Sequence, residues 1–152
     1  ANPPLIGLLF RPHSVPRHGL ENILQSGSFT LNHVADDFYE EAHQCSARYP
    51  RDQSEFDAVG LTPVYRNEFK APYVHESRLS IGLTLQERVD ITVNQTVFIV
   101  GKIEWVYADP VASEADGHIQ LDLLEGVGVV GLDSYHRFGA LSRLQYAKVS
   151  TD

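Results

Sequence analysis

Arg11, His13, Ser14, Arg17 and His18 lie within one short stretch, Arg11-Pro-His-Ser-Val-Pro-Arg-His18, just where an apolar segment gives way to a helical pattern. A helix N-terminus carries unpaired backbone N–H groups and a partial positive charge, so it favours an anion. Guanidinium forks add fixed charge in the geometry that phosphate oxygens accept. In a chain of net charge −8, this clustering of cations runs against the composition. The residues alone leave two readings open: the loop holds the phosphate of a bound cofactor, or it is a solvated basic loop.

Two further positions carry polar chemistry. Asn32 sits inside an apparent strand, where Asn is disfavoured unless its amide is used. Its donor and acceptor suit the edge of a heterocycle, and they suit a neighbouring backbone or a water equally well. Tyr135-His136-Arg137 places an aromatic ring, a titratable group and a cation at a strand end, which by itself reads first as surface decoration.

Other chemistries fit poorly. The seven histidines show no His-x-x-x-His pair on a helix, and His33 and His43 fall in different elements, so no metal site is expected. There is no Gly-x-Ser-x-Gly elbow. Gly126-Val-Gly-Val-Val-Gly131 spells a dinucleotide fingerprint by letter, but it precedes a strand instead of opening a helix, so it is rejected. Asn94-Gln95-Thr96 is formally a glycosylation sequon and reads as a hairpin turn. The single cysteine, Cys45, excludes an internal disulfide and is expected to pack on a helix face.

The elements that must position these groups follow from periodicity. Pro4 to Phe10 is a short apolar run and reads as a buried strand. A helix beginning near Ser14 or Pro16 carries Leu20, Ile23 and Leu24 as its apolar stripe and stops at Ser26-Gly27. Ser28 to Val34 alternates as a second strand, with Phe29, Leu31 and His33 on one face. Asp36-Asp37 predict a helix to about Tyr49, with Phe38, Ala42, Cys45 and Tyr49 inward. Positions 50–72 are irregular apart from a helical turn over Ser54–Val59. Arg78 to Ile91 and Val97 to Tyr107 alternate on either side of Val93–Thr96 and predict a long antiparallel hairpin. Leu121–Leu124 reads as a helical turn and Val127 to Phe138 as a last strand. The sum is one mainly β domain with inserted helices, a small antiparallel barrel.

At 152 residues the chain fits one such domain. Its acidity argues against nucleic acid as a partner. No apolar run reaches the roughly 20 residues that span a bilayer, and no secretory signal is seen, so a cytoplasmic setting is expected. The absence of methionine, and a strand that follows almost at once on Ala1-Asn2-Pro3-Pro4, predict that an N-terminal segment is missing.

In order and spacing, these pieces resemble the flavin reductase-like family of FMN-binding split barrels. The resemblance rests on Asn2-Pro-Pro-Leu-Ile-Gly-Leu-Leu-Phe-Arg-Pro12, Arg17-His-Gly-Leu-Glu-Asn-Ile23 and Ser26-Gly-Ser-Phe-Thr-Leu-Asn32. Downstream it continues through Ser54-Glu-Phe56, Lys70-Ala-Pro-Tyr73, the hairpin at Asn94-Gln-Thr96 and Gly131-Leu-Asp-Ser-Tyr-His-Arg137. It implies a homodimer of six-stranded Greek-key barrels with FMN near the subunit interface. The phosphate would meet Arg11, His13, Ser14, Arg17 and His18. The Asn32 strand would approach the flavin, and Tyr135 and His136 would line the nicotinamide or substrate side. Such proteins reduce flavin with NADH or NADPH and often supply an oxygenase; others are electron carriers without reductase activity of their own. Relatives usually carry Thr where this chain has Gly19. They also have a further segment ahead of the Asn-Pro-Pro motif, which supplies the first barrel strands.

Overall fold

The structure, a computed structural model, describes residues 2–12 and 16–149. His13 and Ser14 therefore lie outside the described residues. A four-stranded antiparallel sheet dominates, in the order β1 (Leu5–Phe10), β6 (Thr96–Ala108), β5 (Leu79–Ile91), β2 (Ser28–Asn32). Between β1 and β2 runs helix α1 (His18–Ser26). Two short helices follow, α2 (Tyr39–Gln44) and α3 (Glu55–Val59), then the small pair β3 (Pro63–Val64) and β4 (Tyr73–Val74).

The β5–β6 hairpin is the spine, and its turn is chemically specified. The Asn94 side-chain oxygen accepts both the backbone N–H of Thr96 (3.2 Å) and its hydroxyl (2.7 Å), while Gln95 takes a positive φ of 59°. Asn tolerates and supports such turns by bonding its own backbone two residues on. The sequon letters are thus used as turn chemistry.

The core forms where α1 lies on the sheet. Leu20 and Ile23 from the helix meet Phe29, Leu83, Val97 and Ile99, flanked by Ile6, Leu8 and Phe10 from β1. Burying a Leu or Ile of this size stabilises by roughly 1.5–3 kcal/mol. Gly101 makes the fit possible, because a Cβ there would sit 2.4 Å from the Phe29 ring. Gly27 ends α1 in the left-handed region at φ 71°, its N–H bonded to the Ile23 carbonyl, and turns the chain directly into β2.

The mainly β class with inserted helices is as expected, and the main sheet, of four strands, is not closed on itself among the described residues. Several element boundaries are corrected. Helix α1 begins at His18, since Arg17 at φ −118° and ψ 86° is not helical. Strand β2 stops at Asn32, short of Val34. The helix expected over Asp36–Tyr49 covers only Tyr39–Gln44. Its first acids are drawn off by tertiary contacts: Ala35 bridges Gly126, Asp36 N–H bonds the Glu125 carbonyl, and the two carboxylates pair with Arg137 and Arg78. The expected strand Val127–Phe138 is a hairpin, β7 (Val127–Val130) and β8 (Ser134–Arg137), turning where Gly131 adopts φ 68°. Among the described residues, no helix is long and apolar enough to cross a membrane.

Candidate functional site

A cleft of about 620 Å³ opens between α1 and β2. Its position follows from the sheet order, which leaves β2 as an edge strand. His33 N–H bonds the Leu79 carbonyl and Leu85 N–H bonds the Gly27 carbonyl, so residues 27, 29, 31 and 33 face β5. Alternation in an antiparallel ladder then turns the backbone N–H and C=O groups of Ser28, Thr30 and Asn32 toward the free edge. Ser28 confirms this parity: its N–H reaches Ser26 Oγ at 3.2 Å, on the helix side. Thr30 makes no backbone–backbone bond along that edge among the described residues. The cleft thus has the free peptide edge at Thr30 beside an apolar floor that includes Leu8, Phe10, Phe29 and Leu31.

The outer rim is the segment Lys70-Ala-Pro72. It is tied to β2 by side chains rather than by a ladder. Thr30 Oγ1 donates to the Pro72 carbonyl at 2.6 Å, Asn32 Nδ2 donates to Thr30 Oγ1 at 2.9 Å, and Val74 N–H donates to Asn32 Oδ1 at 3.1 Å. Of the two uses the sequence left open for Asn32, the structure shows the amide bonded to its neighbours, while the residue still lines the cleft. Lys70 and Glu55 bring one charge of each sign to the rim, and Asn22, Gln25 and Ser26 supply polar groups from α1.

The cleft continues past Asn22, Glu55, Phe56 and Pro72 into a second hollow that His18 and Arg51 line. Helix α1 points its start at this region, with Gly19 on the cleft wall and no side-chain cap from Arg17. Arg17 is its N-cap residue, and the Arg17 Nε is buried without a hydrogen-bond partner among the described residues. A buried guanidinium N–H left without an acceptor is costly, and an anion at this end would satisfy it. Arg11 is exposed at the end of β1. Gly19 and Asn32 thus line one cleft and His18 the hollow that adjoins it, whereas neither Arg17, at the helix N-cap, nor Arg11 lines either.

Tyr135 and His136 lie elsewhere. They line a separate hollow of about 250 Å³ with Asp36, Tyr39 and Arg137. Tyr135 packs against α2, its hydroxyl 3.2 Å from His43 Nδ1 and its ring tilted on Tyr39 at 5.3 Å. Within one chain the structure does not bring them to the Asn32 cleft. Cys45 is half-buried, and burial pushes its thiol above the ordinary value, with Glu55 adding to the effect; this suits packing rather than nucleophilic chemistry.

Ser28, Thr30 and Lys70 were not singled out from sequence. Thr30 shares a face with Asn32 by simple alternation, a signal that was available. The role of the β2 edge depends on which strand lies outermost, and local sequence does not encode that. The whole arrangement suits a flat molecule with an apolar face, a hydrogen-bonding edge and an anionic tail. Its volume is in the range usual for ligand sites, roughly 300–1,000 Å³.

Comparison with known proteins agrees with this shape. A model of the flavin reductase like domain matches residues 1–124. A protein from Shewanella frigidimarina, assigned as a flavin reductase with a split barrel domain, superposes with a TM-score of 0.91 at 49% identity, over 96% of this chain and 72% of that one. Nitrilotriacetate monooxygenase component B from Bacillus cereus gives 0.83 at 19% identity, over 94% and 73%. Flavoredoxin of Desulfovibrio vulgaris gives 0.76 at 22%, over 93% and 73%. The open four-stranded sheet is therefore a split-barrel arrangement.

Proposed function

The chain belongs to the flavin reductase-like family, and from that membership we propose that it binds FMN in the cleft between α1 and the free edge of β2, and passes hydride between NADH or NADPH and flavin. The observation that carries this reading is the conjunction in one cleft of an unpaired peptide edge at Thr30 and an apolar floor, beside the start of α1, whose N-cap residue Arg17 has a buried Nε without an acceptor among the described residues. These residues fit the cofactor. Peptide groups of β2 would match the donor and acceptor edge of a flavin ring, Leu8 and Phe10 would offer it an apolar surface, and Arg17, with His18 and the start of α1, would hold the phosphate. Bound flavin supplies the redox chemistry itself. The protein anchors the phosphate, holds the ring against the β2 edge and keeps one side accessible to a second nucleotide.

We further propose a homodimer. Leu5 and Leu9 from β1 lie exposed on the outer face of the sheet, with Val89 on the same face two strands away across Phe98. A second copy would cover such a surface. An oxygenase that accepts reduced flavin is the kind of further partner this activity serves, in line with the Bacillus cereus protein of like fold being a monooxygenase component. A cytoplasmic setting is proposed with it, where NADH and NADPH are available.

The test is oxidation of NADH or NADPH with added FMN, followed at the nicotinamide absorbance, beside quenching of FMN fluorescence. The separation of Tyr135 and His136 from the cleft favours a second reading, an FMN-binding electron-transfer module that a partner reduces. Quenching without turnover on either nucleotide selects that module. Neither quenching nor turnover by the full-length protein refutes both.

A further inference from the structure

Ser28 opens β2 at the foot of the cleft, immediately after the Gly27 turn. It is only 8% exposed, it lines the cleft, and its Oγ is buried with no hydrogen-bond partner among the described residues. The neighbouring hydroxyl is the contrast. Ser26 Oγ accepts the Ser28 N–H at 3.2 Å and donates to the Ser28 carbonyl at 2.9 Å, so Ser26 holds the turn while Ser28 Oγ holds nothing. A buried hydroxyl without a partner lowers stability compared with Ala. Such a group has an evident use when the missing partner is a ligand.

We propose that Ser28 is a recognition residue of the cleft, whose hydroxyl hydrogen-bonds the flavin nucleotide bound there. This inference rests on the FMN reading above and adds a residue to it. Two further observations place the hydroxyl in a recognition row. The Thr30 peptide groups point to the same free edge, and the side chains of 28, 30 and 32 alternate onto one face of β2. Thr30 Oγ1 and the Asn32 amide are consumed by the Pro72 and Val74 bonds. Ser28 is thus the hydroxyl in that row still free to meet a ligand. Since a hydroxyl both donates and accepts, it meets either a carbonyl or an N–H of the ring edge, or a hydroxyl of the sugar-alcohol chain.

The two states of the protein then respond oppositely to one substitution. Ser28→Ala in the flavin-free full chain leaves the thermal midpoint unchanged or raises it, because no bond is lost. The same variant binds FMN roughly tenfold more weakly by fluorescence quenching, the scale of one hydrogen bond. Ser28→Cys, with a weaker donor, gives an intermediate loss of affinity. Equal FMN affinity in wild type and Ser28→Ala overturns the inference and leaves the FMN reading standing. A lowered midpoint in flavin-free Ser28→Ala also overturns it, since the hydroxyl would then have a partner within the protein. Failure of the wild type to quench FMN removes both.

Discussion

Asn32 Oδ1 accepts the backbone N–H of Val74 at 3.1 Å, and this bond is the last link of a directed chain. Thr30 spends its only proton on the Pro72 carbonyl, so Thr30 Oγ1 can only accept from Asn32 Nδ2. The amide orientation is therefore dictated, and the rim of the cleft is held through a side chain that must be both donor and acceptor.

Asn32→Asp should consequently fare no better than Asn32→Ala. The carboxylate can still accept from Val74, but it sets an oxygen against a Thr30 oxygen with no proton to share. Either variant should lose about 1–3 kcal/mol, the cost of leaving part-buried partners unpaired. Urea unfolding measures it, and full stability in Asn32→Asp would show that the chain of bonds is not directed as described.

Arg17→Ala should weaken FMN binding by roughly 1.5–3 kcal/mol, the scale of a charge-assisted contact. It should leave the flavin-free protein close to wild-type stability, because the buried Nε has no partner to lose among the described residues. Arg11→Ala, removing an exposed group at the end of β1, should weaken binding less. Calorimetric titration of FMN into the three proteins separates them, and an unchanged affinity in Arg17→Ala rules out the phosphate contact.

Gly19 offers the converse experiment. It lines the cleft in the first turn of α1, and a Cβ there would meet nothing within 4 Å. Gly19→Thr places a hydroxyl near the helix start without a clash and should tighten FMN binding by about 1 kcal/mol. Gly19→Ala should raise stability by roughly 0.5–1 kcal/mol through lost backbone freedom in the unfolded chain, with affinity unchanged. Weaker binding by Gly19→Thr would place the phosphate elsewhere.

His33 predicts a pH dependence. Its ring stacks on Phe138 at 5.7 Å and 16°, and a Cβ on Gly126 would fall 2.1 Å from its Cε1. Burial pushes its pKa below the ordinary 6.5. The unfolded chain then takes up the proton at a higher pH than the folded one. The cost is absent well above 6.5, and stability falls as the pH drops through 6.5 toward the folded-state value. His33→Gln should flatten this part of the profile below 6.5, as read from urea midpoints. An equal slope in both proteins would assign the loss to other groups.

How much of this was legible in the sequence depends on how local each cause is. The β5–β6 hairpin and α1 carry their periodicity and turn chemistry within themselves, at Asn94 and Gly27, and both were readable. The stretch Asp36–Tyr49 carries a good helical pattern, yet Ala35 and Asp36 are taken by Gly126 and Glu125, from the far end of the chain. Propensity yields to such tertiary bonds. The hairpin at Gly131 was hidden because a stretch with glycines at both 128 and 131 reads equally as a single irregular strand. The site shows the same division. His18 and Asn32 stood out by residue type, and Gly19 only where the family resemblance puts Thr. Ser28 and Thr30 matter only because β2 lies at the edge of the sheet.

Gly82 and Tyr73 give a last and sharper test of the packing that supports the rim. Tyr73 is fully buried, its ring set edge-on to Tyr107 at 5.4 Å, and its hydroxyl has no hydrogen-bond partner among the described residues. A Cβ on Gly82 would lie 2.1 Å from that hydroxyl oxygen but 3.2 Å from the ring carbon behind it. Gly82→Ala alone must displace a rigid ring and should cost about 1–3 kcal/mol, as overpacking does. Tyr73→Phe alone should be neutral or stabilising, because it removes an unsatisfied buried oxygen. In the double variant the clash loses its nearest atom, so Gly82→Ala should cost at least about 1 kcal/mol less when combined with Tyr73→Phe than in the wild type. Additive effects in this cycle would show that the Tyr73 hydroxyl is not what excludes a side chain at position 82.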